Sequence, residues 1–237
     1  MANTDDGRRG SEEYAQLLSL AAHEFRTPAS VVGGYLRMLQ GDTEAPLTPR
    51  QRKMVDEAAR SCARLVALVG ELSEVGKLDG GSLALASDAF DLFPLLEEVA
   101  RNVHEGEDRK VRLHVTGAGP APVTGDRGRL SAAFAAIFRA ILREQSAQTT
   151  VVADRRTIRN NGSGSAIVVV AREGTVQRAY DASPSALDEK RGGIGLTLPI
   201  ARRVIERHGG RVWSPVPESP DDRALKSAIL VSIPLRE

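Results

Sequence analysis

Two stretches of this chain carry apolar residues at alternating steps of four and three, and that spacing commits both to packed helices. The first runs Leu18, Ala22, Phe25, Ala29, Val32, Leu36 and Leu39; the second runs Met54, Ala58, Ser61, Leu65, Leu68, Leu72 and Val75. Such steps hold one stripe on one side of a helix, as in the seam of a bundle. Gly41-Asp42 ends the first helix, and Thr48-Pro49-Arg50-Gln51 opens the second as a capping box with proline at the first helical position. The second seam stops near Gly80-Gly81. Two long helices with so short a connection form an antiparallel hairpin. A hairpin has apolar surface left over, and a second copy is its natural cover, so a homodimeric four-helix bundle is expected; a monomeric hairpin covered by the rest of the chain is the alternative.

From Leu83 onward the pattern changes to short strands and amphipathic helices. Phe90 to Val103 reads as a helix, Val111 to Thr116 as a strand, and Gly125-Asp126 as the turn into a helix from about Leu130 to Glu144. Thr149 to Ile158 and Ala166 to Arg172 are β-rich runs around a hairpin turn at Asn160-Asn161-Gly162-Ser163-Gly164. A helix from about Leu196 to His208 ends at Gly209-Gly210, and strands follow around Gly210 to Ser214 and Ala228 to Leu235. The fold class is α+β, a helical hairpin followed by an α/β sandwich. The expected domains are a polar tail over 1–12, the helical domain over 13–79 and the sandwich over 86–237.

Charge is balanced, 32 Lys+Arg against 31 Asp+Glu in 237 residues, so no polybasic surface points to nucleic acid. Cys62 is the only cysteine, which excludes an internal disulfide and a cysteine-based zinc site. The histidines have no ligand spacing, so no metal site is expected from them: His208 should pair with carbonyls at its helix end, and His104 and His114 should be solvated. No run reaches the roughly 18 apolar residues of a membrane span, and Met1 to Gly10 lacks the apolar core of a signal peptide. A cytoplasmic protein without membrane contact is the expectation.

His23-Glu24-Phe25-Arg26-Thr27-Pro28 lies beside the first seam. On a helix His23 and Thr27 share a face, and Glu24 is near enough to support the imidazole as a base. The proline removes a backbone donor just past the site. The stretch resembles the H box of two-component sensor histidine kinases. That resemblance implies that His23 is phosphorylated, that Glu24 assists as base, that Thr27 positions water for dephosphorylating a partner, and that the partner is a response regulator receiver domain.

The order of elements from about residue 86 resembles the ATP-binding domain of the same kinases, of the GHKL ATPase type. Gly193-Ile194-Gly195-Leu196, opening the helix that ends at His208-Gly209-Gly210, is similar to the second glycine box, and Gly174 to one glycine of the first. The family therefore implies ATP and Mg²⁺ as cofactors, with Gly174, Gly193 and Gly195 at the nucleotide. Departures accompany the match. Arg139-Ala140-Ile141-Leu142 stands where the family has a magnesium-binding asparagine, an alanine and a lysine, and Ala135 stands one turn earlier in place of a second asparagine. Arginine offers a metal no lone pair. Arg172 stands where the family aspartate accepts the adenine amino group; leaving that group unpaired costs about 1–3 kcal/mol. Between Val176 and Gly192 the family's phenylalanine-containing lid segment is missing, with Tyr180 as its remnant. The expectation is a phosphotransfer protein that exchanges phosphoryl groups at His23 and has impaired or absent ATP binding. An ATP-dependent kinase with divergent nucleotide residues and a non-enzymatic dimeric scaffold are the alternatives.

Overall fold

The computed structural model describes the chain except residues 1, 2, 147, 161, 162, 192–194, 218, 220 and 237, and describes only the backbone of 3–12 and 160. The chain divides into two compact units, Met1–Ala84 and Leu85–Glu237. Among the described residues no helix is long and apolar enough to cross a membrane.

The first unit is a hairpin of α1 (Asn3–Gly41) and α2 (Pro49–Asp79). The polar segment over 1–12, expected as a tail, is already helical from Asn3. Thr48 caps α2 as its sequence predicts: its hydroxyl accepts from Gln51 N–H, and the Gln51 side-chain oxygen Oε1 accepts from Thr48 N–H at 3.0 Å. In the connection the Asp42 carboxylate accepts from the Glu44 and Ala45 N–H groups, each at 2.9 Å, and Gln40 donates to Asp56 at 2.7 Å.

The hairpin packs along the expected line only in part. On α2 Leu68, Leu72 and Val75 of the predicted seam are covered, but Met54, Ala58, Ser61 and Leu65 are exposed, and the positions just after the seam, Val55, Ala59, Cys62, Val66, Val69, Ser73 and Gly76, are covered along the whole helix. On α1 the line is Ala15, Leu18, Ala22, Ala29, Gly33 and Leu36; Phe25, Val32 and Leu39 of the predicted seam are exposed. Small residues explain the choice. A Cβ at Gly76 would lie 2.9 Å from the Ala15 carbonyl oxygen, and the Cys62 thiol donates to Ala29 O at 3.1 Å, so backbones approach here as larger side chains would forbid. Each helix thus carries two adjacent apolar lines, one used within the hairpin and one left on its surface.

The second unit is built on a six-stranded sheet in the order β2-β4-β5-β8-β7-β6, with a separate pair β1-β3. Its elements are β1 (Asp88–Asp91), α3 (Leu92–Arg101), β2 (Val111–Thr116), β3 (Pro122–Gly125), α4 (Arg127–Glu144), β4 (Thr149–Asn160), β5 (Ser163–Arg172), α5 (Val176–Asp181), β6 (Pro184–Ser185), α6 (Thr197–Arg207), β7 (Arg211–Pro215), α7 (Arg223–Lys226) and β8 (Ile229–Pro234). β2 and β4 are parallel and the remaining neighbours antiparallel. Phe90, expected to begin a helix, lies in β1, because Asp91 is the helix cap: its carboxylate accepts from Phe93 N–H and Ala121 N–H. The β4–β5 hairpin pairs Asn160 with Ser163, and Asn161 and Gly162 of the predicted turn lie outside the described residues.

Alternation sorts the strands into two faces. Val151, Ala153 and Arg155 of β4 pair with Arg172, Val170 and Val168 of β5, and this face meets α3 and α4; Phe134, Phe138, Ile137 and Ile141 of α4 are fully buried. On the opposite face Val169, Ala171, Ala228 and Leu230 meet Ala179 of α5 and Leu225 of α7, with Tyr180 and Trp213 packed alongside. β7 lies where the sequence places a strand, around Gly210 to Ser214, whereas α5, α7, β1, β3 and β6 were not legible as elements from the sequence.

Polar groups join the elements that hold the helices in place. Asp126 caps α4 by accepting from Arg129 N–H at 3.0 Å, and that N–H holds its carboxyl below the usual carboxylate range. His208 donates from Nδ1 to Val204 O at 2.6 Å and accepts at Nε2 from Asp126 N–H at 2.9 Å, so the end of α6 is tied to the start of α4. Arg155, 5 % exposed, donates to the carbonyls of Thr116 (3.1 Å), Phe93 (2.6 Å) and Gly117 (2.6 Å), pairs with Glu97 and lies 5.1 Å over the Phe93 ring. Arg155→Ala leaves those carbonyls without a partner and is expected to destabilise this unit by about 3 kcal/mol or more. Denaturant unfolding followed by fluorescence of Trp213, the single tryptophan, measures it.

Candidate functional site

His23 lies midway along α1, immediately after the fully buried Ala22, and is exposed together with Glu24, Phe25, Arg26, Thr27 and Pro28. The helix brings His23 and Thr27 onto one face, turned from the covered line of the hairpin. Among the described residues the side chains of His23, Glu24 and Thr27 make no hydrogen bond within the chain, so the imidazole is open to a group arriving from outside. α1 runs unbroken through Pro28. The geometry is that of an accessible nucleophile on a rigid rod, with a carboxylate as its neighbour and a hydroxyl one turn away.

Of the residues that the sequence points to in the second unit, Arg139 lies on α4 and Arg172 reaches Gln145, the residue after its end. Gly174 follows β5 in the left-handed region, φ +84°, where a larger residue is strained. Gly195 also has positive φ, 120°, and precedes α6, whose first residue is Thr197; Gly193 lies outside the described residues. Arg139 is exposed on α4. Arg172 is on the helix-facing side of β5 and donates from Nε to the Gln145 side-chain oxygen at 2.6 Å, while the Gln145 amide donates to Ile141 O at 2.8 Å. Gln145 is 1 % exposed and bonded at both ends, whereas Glu173, the residue after Arg172, is exposed.

Tyr180 faces away from Arg172. It belongs to the opposite side of the sheet, where its hydroxyl donates to Asp154 at 3.0 Å and Arg156 stacks 3.9 Å over its ring. Burial first, and Asp154 next, push its phenol well above the usual range. His104 and His114 are both exposed, as expected, and His104 also pairs with Glu107 at 3.0 Å on the surface. No sequence pattern singles out Arg191, a residue 9 % exposed whose guanidinium donates to both oxygens of Glu144 at 2.8 and 2.7 Å. Partners 47 positions apart leave no periodic trace.

Residues 13–81 match the His Kinase A (phospho-acceptor) domain family. This segment is a HisKA-type domain. The rest of the chain extends the kinship: 227 residues are 25 % identical to the signal transduction histidine-protein kinase BarA of Escherichia coli (strain K12), covering 88 % of this chain and 24 % of BarA. The sensor histidine kinase GacS of Pseudomonas protegens is 27 % identical over 216 residues, 84 % of this chain and 23 % of GacS. The chain is homologous to multidomain two-component sensor kinases and spans about a quarter of the length of these relatives. Among solved structures, full-length ShkA in complex with AMPPNP aligns with TM-score 0.67 at 22 % identity, over 93 % of this chain and 45 % of ShkA. The histidine kinase ThkA in complex with the response regulator protein TrrA aligns with TM-score 0.57 at 17 % identity, over 98 % and 66 %. These likenesses show the fold, a HisKA-like hairpin followed by a mixed sheet-and-helix region consistent with the GHKL type.

Proposed function

We propose that this protein works in a phosphorelay, exchanging a phosphoryl group between His23 and the aspartate of a response regulator receiver domain, on a homodimer built by the HisKA-type hairpin. In the loading direction an imidazole nitrogen of His23 attacks phosphorus, the N–P bond forms as the acyl-phosphate O–P bond breaks, and the receiver carboxylate leaves. Glu24 supports the imidazole as base, and Thr27 orients water when phosphate is lost. Exchange between two high-energy linkages needs positioning more than driving force, and a rigid helix supplies it. The observation that carries this reading is the exposed His23–Thr27 face inside the matched residues 13–81.

The second unit, a GHKL-type domain on this reading, holds no working Mg-ATP site. Arg139 cannot ligate magnesium, and Arg172, already bonded to Gln145, cannot accept from adenine. The alternative, an ATP-dependent kinase, is the one favoured by the likeness to ShkA, which was solved with AMPPNP. Two measurements separate them. Wild-type protein should take label from at least one phosphorylated receiver domain of its own cell, and failure with all of them sinks the phosphorelay reading in favour of a scaffold. Calorimetry should find no magnesium-dependent ATP binding, and a dissociation constant in the low micromolar range would establish the kinase instead.

A further inference from the structure

Residues 187–191 form a short strap after the edge strand β6 and before α6. Leu187 is buried, Lys190 N–H is capped by the Asp188 carboxylate at 3.0 Å, and Arg191 N–H donates to Asp188 O at 3.3 Å. Glu189 pairs with Arg202 and, at 3.9 Å, with Arg203, which fastens the strap to α6. Arg191 then enters the body of the domain. Its Nε donates to Glu144 Oε1 at 2.8 Å, one terminal nitrogen to Ser214 Oγ and Ala228 O at 3.3 Å each, and the other to Glu144 Oε2 at 2.7 Å and Ser227 O at 2.6 Å.

A guanidinium has five N–H donors, and five acceptors meet this one. They come from the end of α4, from β7 and from the Ser227–Ala228 link between α7 and β8, so a single side chain joins the strap to three parts of the domain. On the same α4 terminus Arg172 holds the next residue, Gln145. The bidentate fork to a carboxylate requires arginine; lysine is a point charge with three donors and cannot reproduce it. A half-buried Glu144 left without that partner would be an uncompensated charge.

We infer that Arg191 is an internal ligand that keeps the strap closed across the end of α4 in the absence of nucleotide. The inference rests in part on the proposed nucleotide-independent role of this domain and gives that role a structural basis. A segment that must open and close around a ligand belongs to the low-stability end of a protein, whereas this one is held by saturated charged hydrogen bonds.

Hydrogen–deuterium exchange on the full chain, with and without Mg-ATP, tests it. In wild type the amides of 188–191 should be protected to the same degree in both conditions. Arg191→Lys and Glu144→Gln should each speed their exchange by about tenfold or more, as local opening becomes easier, while the amides of α1 and α2 keep wild-type rates. Wild-type strap amides exchanging as fast as the 42–46 connection, protection that arises only with Mg-ATP, or both variants matching wild type would each overturn the proposal. If either variant fails to fold, the wild-type comparison decides alone. Calorimetry on the same sample keeps the two ideas apart: tight Mg-ATP binding by a strap already protected without nucleotide removes the nucleotide-independent reading and leaves the internal ligand standing.

Discussion

His23→Gln is expected to abolish phosphoryl labelling by a phosphorylated receiver domain, with the helical signal and the oligomeric state unchanged. The loss is complete because no other histidine is on the HisKA-type hairpin, the remaining three being His104, His114 and His208. The fold is spared because the His23 side chain is exposed, makes no hydrogen bond within the chain among the described residues, and gives way to a residue of better helix propensity. Thr27→Ala belongs to the same experiment. It should still take label, since the hydroxyl does not accept the phosphoryl group, but should slow release of phosphate to water by up to about 100-fold through loss of orientation. Labelling that persists in His23→Gln would move the acceptor elsewhere, and release unchanged in Thr27→Ala would take the water-positioning role from that hydroxyl.

The hairpin shows where periodicity is informative and where it stops. Alternating steps of four and three announced both helices and their connection, and the Thr48–Gln51 capping box set the start of α2 within one residue. The same steps did not say which of two adjacent lines packs inside the chain. Large apolar residues drew attention to Met54, Leu65 and Phe25, but beside Ala22, which the seam did include, the internal line uses Gly33, Cys62 and Gly76, whose value is their small size. In the second unit the strands β4, β5 and β8 and the helices α4 and α6 were legible, because each is a continuous apolar or amphipathic run. β1 and β3, four residues each, and β6, two residues, owe their existence to pairing across the chain, which leaves no local pattern. α5 and α7 are held by a second small core on the far side of the sheet. That core also explains why Tyr180 is no remnant of a lid: it anchors α5 to Asp154 and Arg156.

The candidate site divides in the same way. His23, Glu24 and Thr27 lie within five residues on one helix, so their juxtaposition follows from local geometry alone. The arginines of the second unit could be seen to depart from the kinase pattern, but not what they do instead. That Arg172 is spent on Gln145, and Arg191 on Glu144, depends on the sheet bringing the end of β5 and the strap to the same end of α4. Long-range placement, rather than residue type, carries that information.

Replacing Leu65, exposed on α2, and the half-buried Leu68 together with aspartate is expected to convert the proposed homodimer into monomer or unfolded chain. Within one chain Tyr14, Leu17, Phe25, Val32, Tyr35, Met54 and Leu65 are each more than half exposed, between 52 % and 65 %. Monomeric proteins rarely leave so many large apolar side chains exposed on one pair of helices, and each one fully buried contributes about 1.5–3 kcal/mol. A second hairpin offers the same line in return, which is the self-complementary arrangement of a two-fold dimer. Two aspartates per chain become four in the dimer, each losing water without a partner at a cost of several kcal/mol. Even half of that sum weakens association by more than about a thousandfold, at 1.4 kcal/mol per factor of ten. The internal line through Val66 and Cys62 is untouched, so the helices can survive as a single hairpin in the monomer. Sedimentation velocity at micromolar concentration distinguishes the outcomes: a dimeric wild type beside a monomeric or unfolded double variant supports the bundle, whereas a monomeric wild type shows that this apolar line is not a contact between copies of the chain.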